Sequence, residues 1–248
     1  GTCSGGGRVD GGGTKVRVLT VAAHPDDETL GAGGTMARLA AHGHEVWICI
    51  LTDGVTARHA HVEQQKECAI GAADVLGAAN VVFCELPDQR LDSLPLLDVI
   101  TPIEKCIGEL RPEIVFTHFK EDVNQDHRTV FQATMVAARP VEGTSVRRLL
   151  CYETASSTEW APPFPGSVFS PNVFVDISST LPRKLEAMRS YERTWTGEMR
   201  PYPHPRSYEA IEAYARRHGV AAGVAAAEPF MLVRQVHHEG GSSSDHRF

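Results

Sequence analysis

The sequence has no Cys-x-x-Cys pair, no long uncharged apolar run, no excess of positive charge and no internal repeat. Each absence removes a class of protein. Without paired cysteines there is no sign of a thiolate zinc module or a disulfide scaffold, so the six cysteines read as free thiols of a reducing compartment. Without about 18 consecutive apolar residues there is no candidate transmembrane helix. The amino terminus is Gly-rich and polar and lacks the apolar stretch of a signal peptide, so a soluble, cytoplasmic protein is expected. A formal net charge of −7, with Lys and Arg scattered along the chain, argues against nucleic acid and for a small-molecule partner.

What is present suffices for a core. A chain of 248 residues with 42% hydrophobic content fits one large domain. Residues 1–14 and the end from about residue 239 are Gly/Ser-rich and are expected to be unstructured tails around a single domain over 15–238. Within it, short apolar runs alternate with helical periodicity. Strands are expected at Val16 to Ala23, Val46 to Leu51, Val81 to Leu86 and Ile114 to Thr117. Helices fit Asp27 to Ala41, His61 to Leu76 and Leu96 to Leu110. Beyond this the pattern weakens. Helices are expected near Val130 to Ala138, Leu181 to Tyr191 and Tyr208 to His218, and strands near Leu149 to Tyr152, Asn172 to Val175 and Phe230 to Val233. The alternation implies an α/β fold: a Rossmann-like, doubly wound, mainly parallel sheet with helices on both faces. Sites in such sheets gather at the carboxyl ends of strands, so the loops after Ala23, Leu51 and Thr117 should meet.

Directly after the first strand stands His24-Pro25-Asp26-Asp27-Glu28. His24 and Asp27 are three apart, so a helix starting near Pro25 turns both toward one point, as metal ligands require. After the fourth strand comes Asp122-Val123-Asn124-Gln125-Asp126-His127, and His127 can supply a third ligand. Two imidazoles and one carboxylate leave a fourth position open, the mark of a catalytic rather than a structural zinc site. Asp26, beside a ligand, is the natural candidate to take a proton from an attacking water. The bland alternative makes the acids favourable charge at a helix N-terminus. Asp126 either orients a ligand histidine or caps the following helix. Gly31, Gly33 and Gly34 lack the spacing of a dinucleotide fingerprint and read as close helix-to-sheet packing. Trp160, Phe164, Trp195 and Tyr202 offer faces to a sugar ring or pack ordinarily. Glu153, Ser156 and Ser157 are polar groups that follow a strand.

The motifs AHPDDE, LGAGGT, LTDG and NQDHR resemble, at these positions, those of the LmbE-like or PIG-L-type zinc deacetylases, over about residues 16 to 235. The resemblance implies one zinc ion per chain on His24, Asp27 and His127, with Asp26 as general base. It implies removal of an acetyl group from an amino sugar or related conjugate. It also implies that Arg58, just beyond Thr52-Asp53-Gly54, holds a substrate hydroxyl or phosphate, against the reading of a plain solvated arginine, and that the protein is a homo-oligomer such as a trimer or hexamer; Asp53 is a further candidate for substrate binding. One departure stands out: many members carry a second histidine three residues before the last ligand, where this chain has Asn124. An amide donates a hydrogen bond without charge, so oxyanion stabilisation is expected to fall to the metal, Asn124 and an imidazole from elsewhere. His204, in a Pro-rich loop, is the candidate, against the reading of an ordinary loop histidine. Three rivals remain: a mononuclear iron oxygenase, whose facial triad has the same ligand types; a non-catalytic carbohydrate- or metal-binding module; and an amidase acting on a larger sugar conjugate.

Overall fold

The computed structural model describes residues 15–54, 61–193 and 197–237; both expected tails, Arg58 and Trp195 lie outside the described residues. One seven-stranded sheet runs through the molecule in the order β3-β2-β1-β4-β5-β7-β6. Its strands are β1 (Arg17–Ala22), β2 (Glu45–Thr52), β3 (Asn80–Leu86), β4 (Ile114–Thr117), β5 (Arg148–Tyr152), β6 (Val173–Asp176) and β7 (Ala227–Gln235). β1 to β5 pair in parallel, and β7 runs antiparallel to both neighbours. The helices are α1 (Asp27–Ala41), α2 (Val62–Leu76), α3 (Leu96–Leu110), α4 (Gln125–Ala137), α5 (Leu181–Arg189) and α6 (Tyr208–Ala222). This is the doubly wound α/β arrangement expected.

Period-two alternation along β1 divides the core. Val18 and Ala22 face a cluster with Met36, Leu76, Tyr152 and Phe230, built with α1, α2, α5 and α6. Leu19 and Val21 face the opposite cluster of Val99, Ile103, Val130 and Leu149, built with α3 and α4. The glycines of α1 serve this packing. A Cβ on Gly31 would stand 2.2 Å from the Tyr152 ring, and one on Gly34 would stand 2.8 Å from Ile177. The cysteines at 49, 68, 84, 106 and 151 are all free thiols. No helix among the described residues is long and apolar enough to cross a membrane.

Two helix boundaries depart from the sequence expectation by more than a couple of residues. α4 begins at Gln125, five residues before Val130, because Asn124 caps it: its side chain accepts the Asp126 N–H at 2.9 Å. α6 passes through Gly219 and ends at Gly223, which adopts the left-handed conformation that lets a chain leave a helix. Both shifts come from backbone hydrogen bonding, which apolar periodicity does not report.

Candidate active site

The sheet order places β1 between β2 and β4, so the chain leaves β1 at the point where strand order reverses, and the loops after β1 and β4 lie side by side. The β1–α1 loop is held in an unusual shape. Asp26 has φ of 109°, a strained value for a residue with a Cβ. Glu28, fully buried, holds it there: Oε2 accepts the Asp26 N–H at 3.1 Å, while Oε1 accepts the hydroxyls of Thr29 and Tyr191. From the β2 side, Thr52 donates its hydroxyl to the Ala23 carbonyl at 2.8 Å. Gly54 (φ +73°) lies so close to Pro25 that a Cβ there would sit 2.4 Å from the proline ring. The LTDG segment is therefore a buttress for the β1–α1 loop.

Three ligand atoms converge at the loop junction. His24 Nδ1 lies 3.1 Å from Asp27 Oδ2, His127 Nε2 lies 3.2 Å from the same oxygen, and the two ring nitrogens stand 3.3 Å apart. All three residues are buried, and their ligand atoms lie within 4.8 Å of one another. Asp27 Oδ1 is buried with no hydrogen-bond partner among the described residues. Two imidazole nitrogens facing each other across a carboxylate with a spare oxygen suit a divalent cation, which would satisfy all three at once. The electrostatics agree in sign. Burial acts to lower the His24 pKa, but hydrogen bonds to Asp126 and Asp27, with Asp88 nearby, lift it well above the ordinary value. Burial acts to raise the Asp27 carboxyl, yet His127 and His118 hold it well below the usual range.

Each ligand imidazole has a carboxylate behind it. His24 Nε2 faces Asp126 Oδ2 at 3.2 Å and Asp88 Oδ1 at 3.3 Å, and Asp126 is in turn fixed by the N–H groups of Gln89 and Leu91. His127 Nδ1 faces Asp122 Oδ1 at 3.3 Å. Asp122 accepts the hydroxyls of Ser157 and Thr158; burial would raise its carboxyl, but His127 and these hydroxyls hold it at about 2. Such partners fix which ring nitrogen carries the proton and leave the other free for a metal. Asp126 thus faces His24 and does not cap α4, whose cap is Asn124.

Sequence reasoning passed over His118. Its ring stacks on His127 with centroids 3.9 Å apart, and Nε2 is 3.4 Å from Asp27. That nitrogen accepts the Ala23 N–H at 2.9 Å, so its lone pair is spent and the ring packs against the group without joining it. Burial, with His127, lowers the pKa of His118 well below the ordinary value. Asp88, Asp122, Glu198 and Arg206 were likewise given no role. For Asp88 the strand-end rule, applied to Pro87-Asp88-Gln89 after β3, was the available signal. For Arg206 and Glu198 none existed, since they reach the site from the irregular C-terminal third.

A cavity of about 420 Å³ opens above the ligand group. His24, Asp26, Asn124, Trp160, His204 and Arg206 are among its walls. Arg206 Nη1 donates to Asp26 Oδ2 at 2.7 Å. Burial raises the Asp26 carboxyl well above its ordinary pKa; Arg206 opposes this, while Glu198, Asp27 and Glu28 reinforce it. The indole of Trp160 is 55% exposed and meets the His204 ring edge-on at 6.1 Å. His204 Nδ1 accepts the Arg206 N–H, which places the ring proton on Nε2; burial and the charges of Arg206 and Arg200 lower its pKa. Asp53 adjoins Gly54 at the cavity edge without lining it. Ser156 lines the cavity and Ser157 reaches Asp122, whereas Glu153 pairs with His218 in a separate pocket beside α6. Phe164 and Tyr202 are exposed and lie outside the cavity.

Known proteins agree with this architecture. The family model described as PIG-L, GlcNAc-PI de-N-acetylase, matches residues 19–138. The chain is 32% identical over 181 residues to YaiS, an uncharacterised deacetylase of Escherichia coli, with 71% of this chain and 90% of that protein covered. It is 25% identical to a 1D-myo-inositol 2-acetamido-2-deoxy-alpha-D-glucopyranoside deacetylase of Saccharopolyspora erythraea, over 87% and 89% of the two chains. Among solved structures, N,N′-diacetylchitobiose deacetylase of Pyrococcus horikoshii superposes with a TM-score of 0.70 at 20% identity, covering 89% of this chain and 85% of that one. The 4-carboxy-2-hydroxymuconate hydratase of Pseudomonas putida does so with 0.69 at 22%, covering 92% and 100%. At those identities the superpositions speak for the fold alone, whereas the sequence matches carry the family. The HPDDE and NQDH loops both fall inside the matched segment, and on that ground this chain belongs to the PIG-L family of de-N-acetylases.

Proposed function

We propose that the protein is a zinc-dependent hydrolase that removes the N-acetyl group of an amino sugar or a small conjugate containing one. The reading rests above all on one observation: His24, Asp27 and His127 converge as a ligand group beneath a polar cavity that Asp26 lines. The names of the relatives supply the substrate class. Zinc bound by the three side chains would polarise the acyl carbonyl and make water a nucleophile near neutral pH.

The chain's own residues do the rest. Asp26 accepts a proton from the attacking water and delivers it to the departing nitrogen, so that amide and water become acetate and free amine. A carboxyl whose pKa is lifted by burial is suited to both halves of that transfer. Asn124 and the Nε2–H of His204 are neutral donors on the cavity wall for the carbonyl oxygen as its charge grows. The half-exposed face of Trp160 suits a sugar ring. The amide of Asn124 is tied through its oxygen to the helix cap, which leaves its NH2 group as the donor.

The test is metal content of the purified protein together with acetate release from a panel of N-acetylglucosamine derivatives, with and without chelator. The expected result is zinc near one per chain and acetate release that the chelator abolishes. Bound zinc with no acetate from any derivative would shift the reading to a larger amide. No zinc, and no activity on its addition, would overturn it.

A further inference from the structure

Arg206 lies outside the segment matched by the family model, yet it touches the residue on which the proposed chemistry depends. We propose that Arg206 is a positioning residue: its guanidinium holds the Asp26 carboxylate in its working orientation, and Ser156 and Glu198 fix where that guanidinium stands. The inference rests on the reading of Asp26 as the base.

The geometry carries it in three steps. First, the Asp26 backbone is clamped at φ 109° by Glu28, so rotation of the side chain is the freedom that remains. Arg206 Nη1 donates to Oδ2 at 2.7 Å, and the ion pair is largely shielded, with side-chain exposures of 21% and 2%. Second, the guanidinium is anchored. Its Nε donates to Ser156 Oγ at 2.6 Å, and Nη1 is shared with the Glu198 carboxylate. A planar fork held at one edge by a hydroxyl and balanced by a second acid has little room to swing. Third, the anchors come from different parts of the chain. Ser156 follows β5, Glu198 precedes the Pro-rich loop, and Arg206 immediately precedes Ser207, which caps α6 by accepting the Ala210 N–H. The Arg206 N–H is itself bonded to His204 Nδ1, so the two wall residues are placed as a unit.

A structural ion pair or a substrate anchor would use the same contacts, so the test must separate these roles. Zinc-loaded Arg206→Ala is expected to keep its metal and its KM while kcat falls about a hundredfold, the cost of a misplaced reacting group. Millimolar guanidinium ion should restore part of that loss in Arg206→Ala and none in Asp26→Ala. Arg206→Lys keeps the charge but not the fork and should fall between. Ser156→Ala, which removes only an anchor, should show a smaller loss of the same kind. The double variant Asp26→Ala/Arg206→Ala should be no slower than Asp26→Ala, because residues acting through one another are not additive. An effect confined to KM, an unchanged kcat, or additive losses without guanidinium rescue would overturn the proposal. If Asp26→Ala itself kept full rate, the base reading would fall and this inference with it; if only Arg206→Ala kept full rate, the inference alone would fall.

Discussion

The floor and the wall of the cavity are built on opposite terms. The floor, His24, Asp27, Asp122, Asp126 and His127, is buried, comes from two adjacent strand ends, and meets each charged group with a partner of opposite demand. The wall, Trp160, Arg200 and His204, comes from irregular segments after β5 and before α6 and remains open to solvent to differing degrees. The contrast follows from what each must do. A metal group works only when its ligands are prearranged and desolvated, whereas residues that choose a substrate must meet it from water.

Substitutions should respect this division, and the largest effect belongs to the floor. His127→Ala removes a proposed ligand and leaves Asp27 and Asp122 facing each other without the imidazole between them. Loss of zinc and of turnover together, read by metal analysis and acetate release, is expected; an active, zinc-replete variant would remove His127 from the ligand group. Asp26→Asn stands at the boundary. It should bind zinc normally and lose about 10²–10⁴-fold in kcat, the usual contribution of a positioned acid–base group. If its zinc affinity fell instead, Asp26 would belong to the floor.

Asp122→Asn tests whether the acids behind the ligands matter. The expected effect is about 10–100-fold weaker metal binding, followed by chelator competition. Its pH dependence has a definite sign. Asp122 is held at about 2, below the ordinary carboxyl value, so its contribution to stability is complete above the unfolded value and fades only as pH falls toward 2. Wild-type and Asp122→Asn protein should therefore differ in stability at neutral pH and converge in strong acid. The smallest effect is on the wall: Trp160→Ala should raise KM several-fold with zinc content and stability unchanged, because the indole is 55% exposed. A fall in melting temperature would show the indole to be a packing element after all.

The two regions also differed in how far they could be read in the amino-acid string. Those of the floor lie within short motifs at predictable strand ends, where three acids and an imidazole in five residues demand a local explanation. The separate tasks of those acids were not legible there. Asp27 faces both histidines, Asp26 faces the cavity, and Glu28 pins the backbone of Asp26 through Tyr191 and Thr29, a division that depends on a φ of 109° and a tyrosine 163 residues away. Nor was it evident that His118, equally near, is spent on the Ala23 N–H.

The sequence by itself determined the doubly wound fold, through its alternation of apolar runs, and the candidate ligand group, because both ligand loops follow strands that the fold makes neighbours. Only the tertiary structure decided which carboxylate stands behind which histidine, that the LTDG glycine exists to let Pro25 approach, and that Arg206 reaches Asp26 across 180 residues of chain. The reason is physical. Local spacing dictates helix and strand and what lies within a turn of a residue, but a contact between distant segments is set by how their elements pack, and no short pattern encodes it.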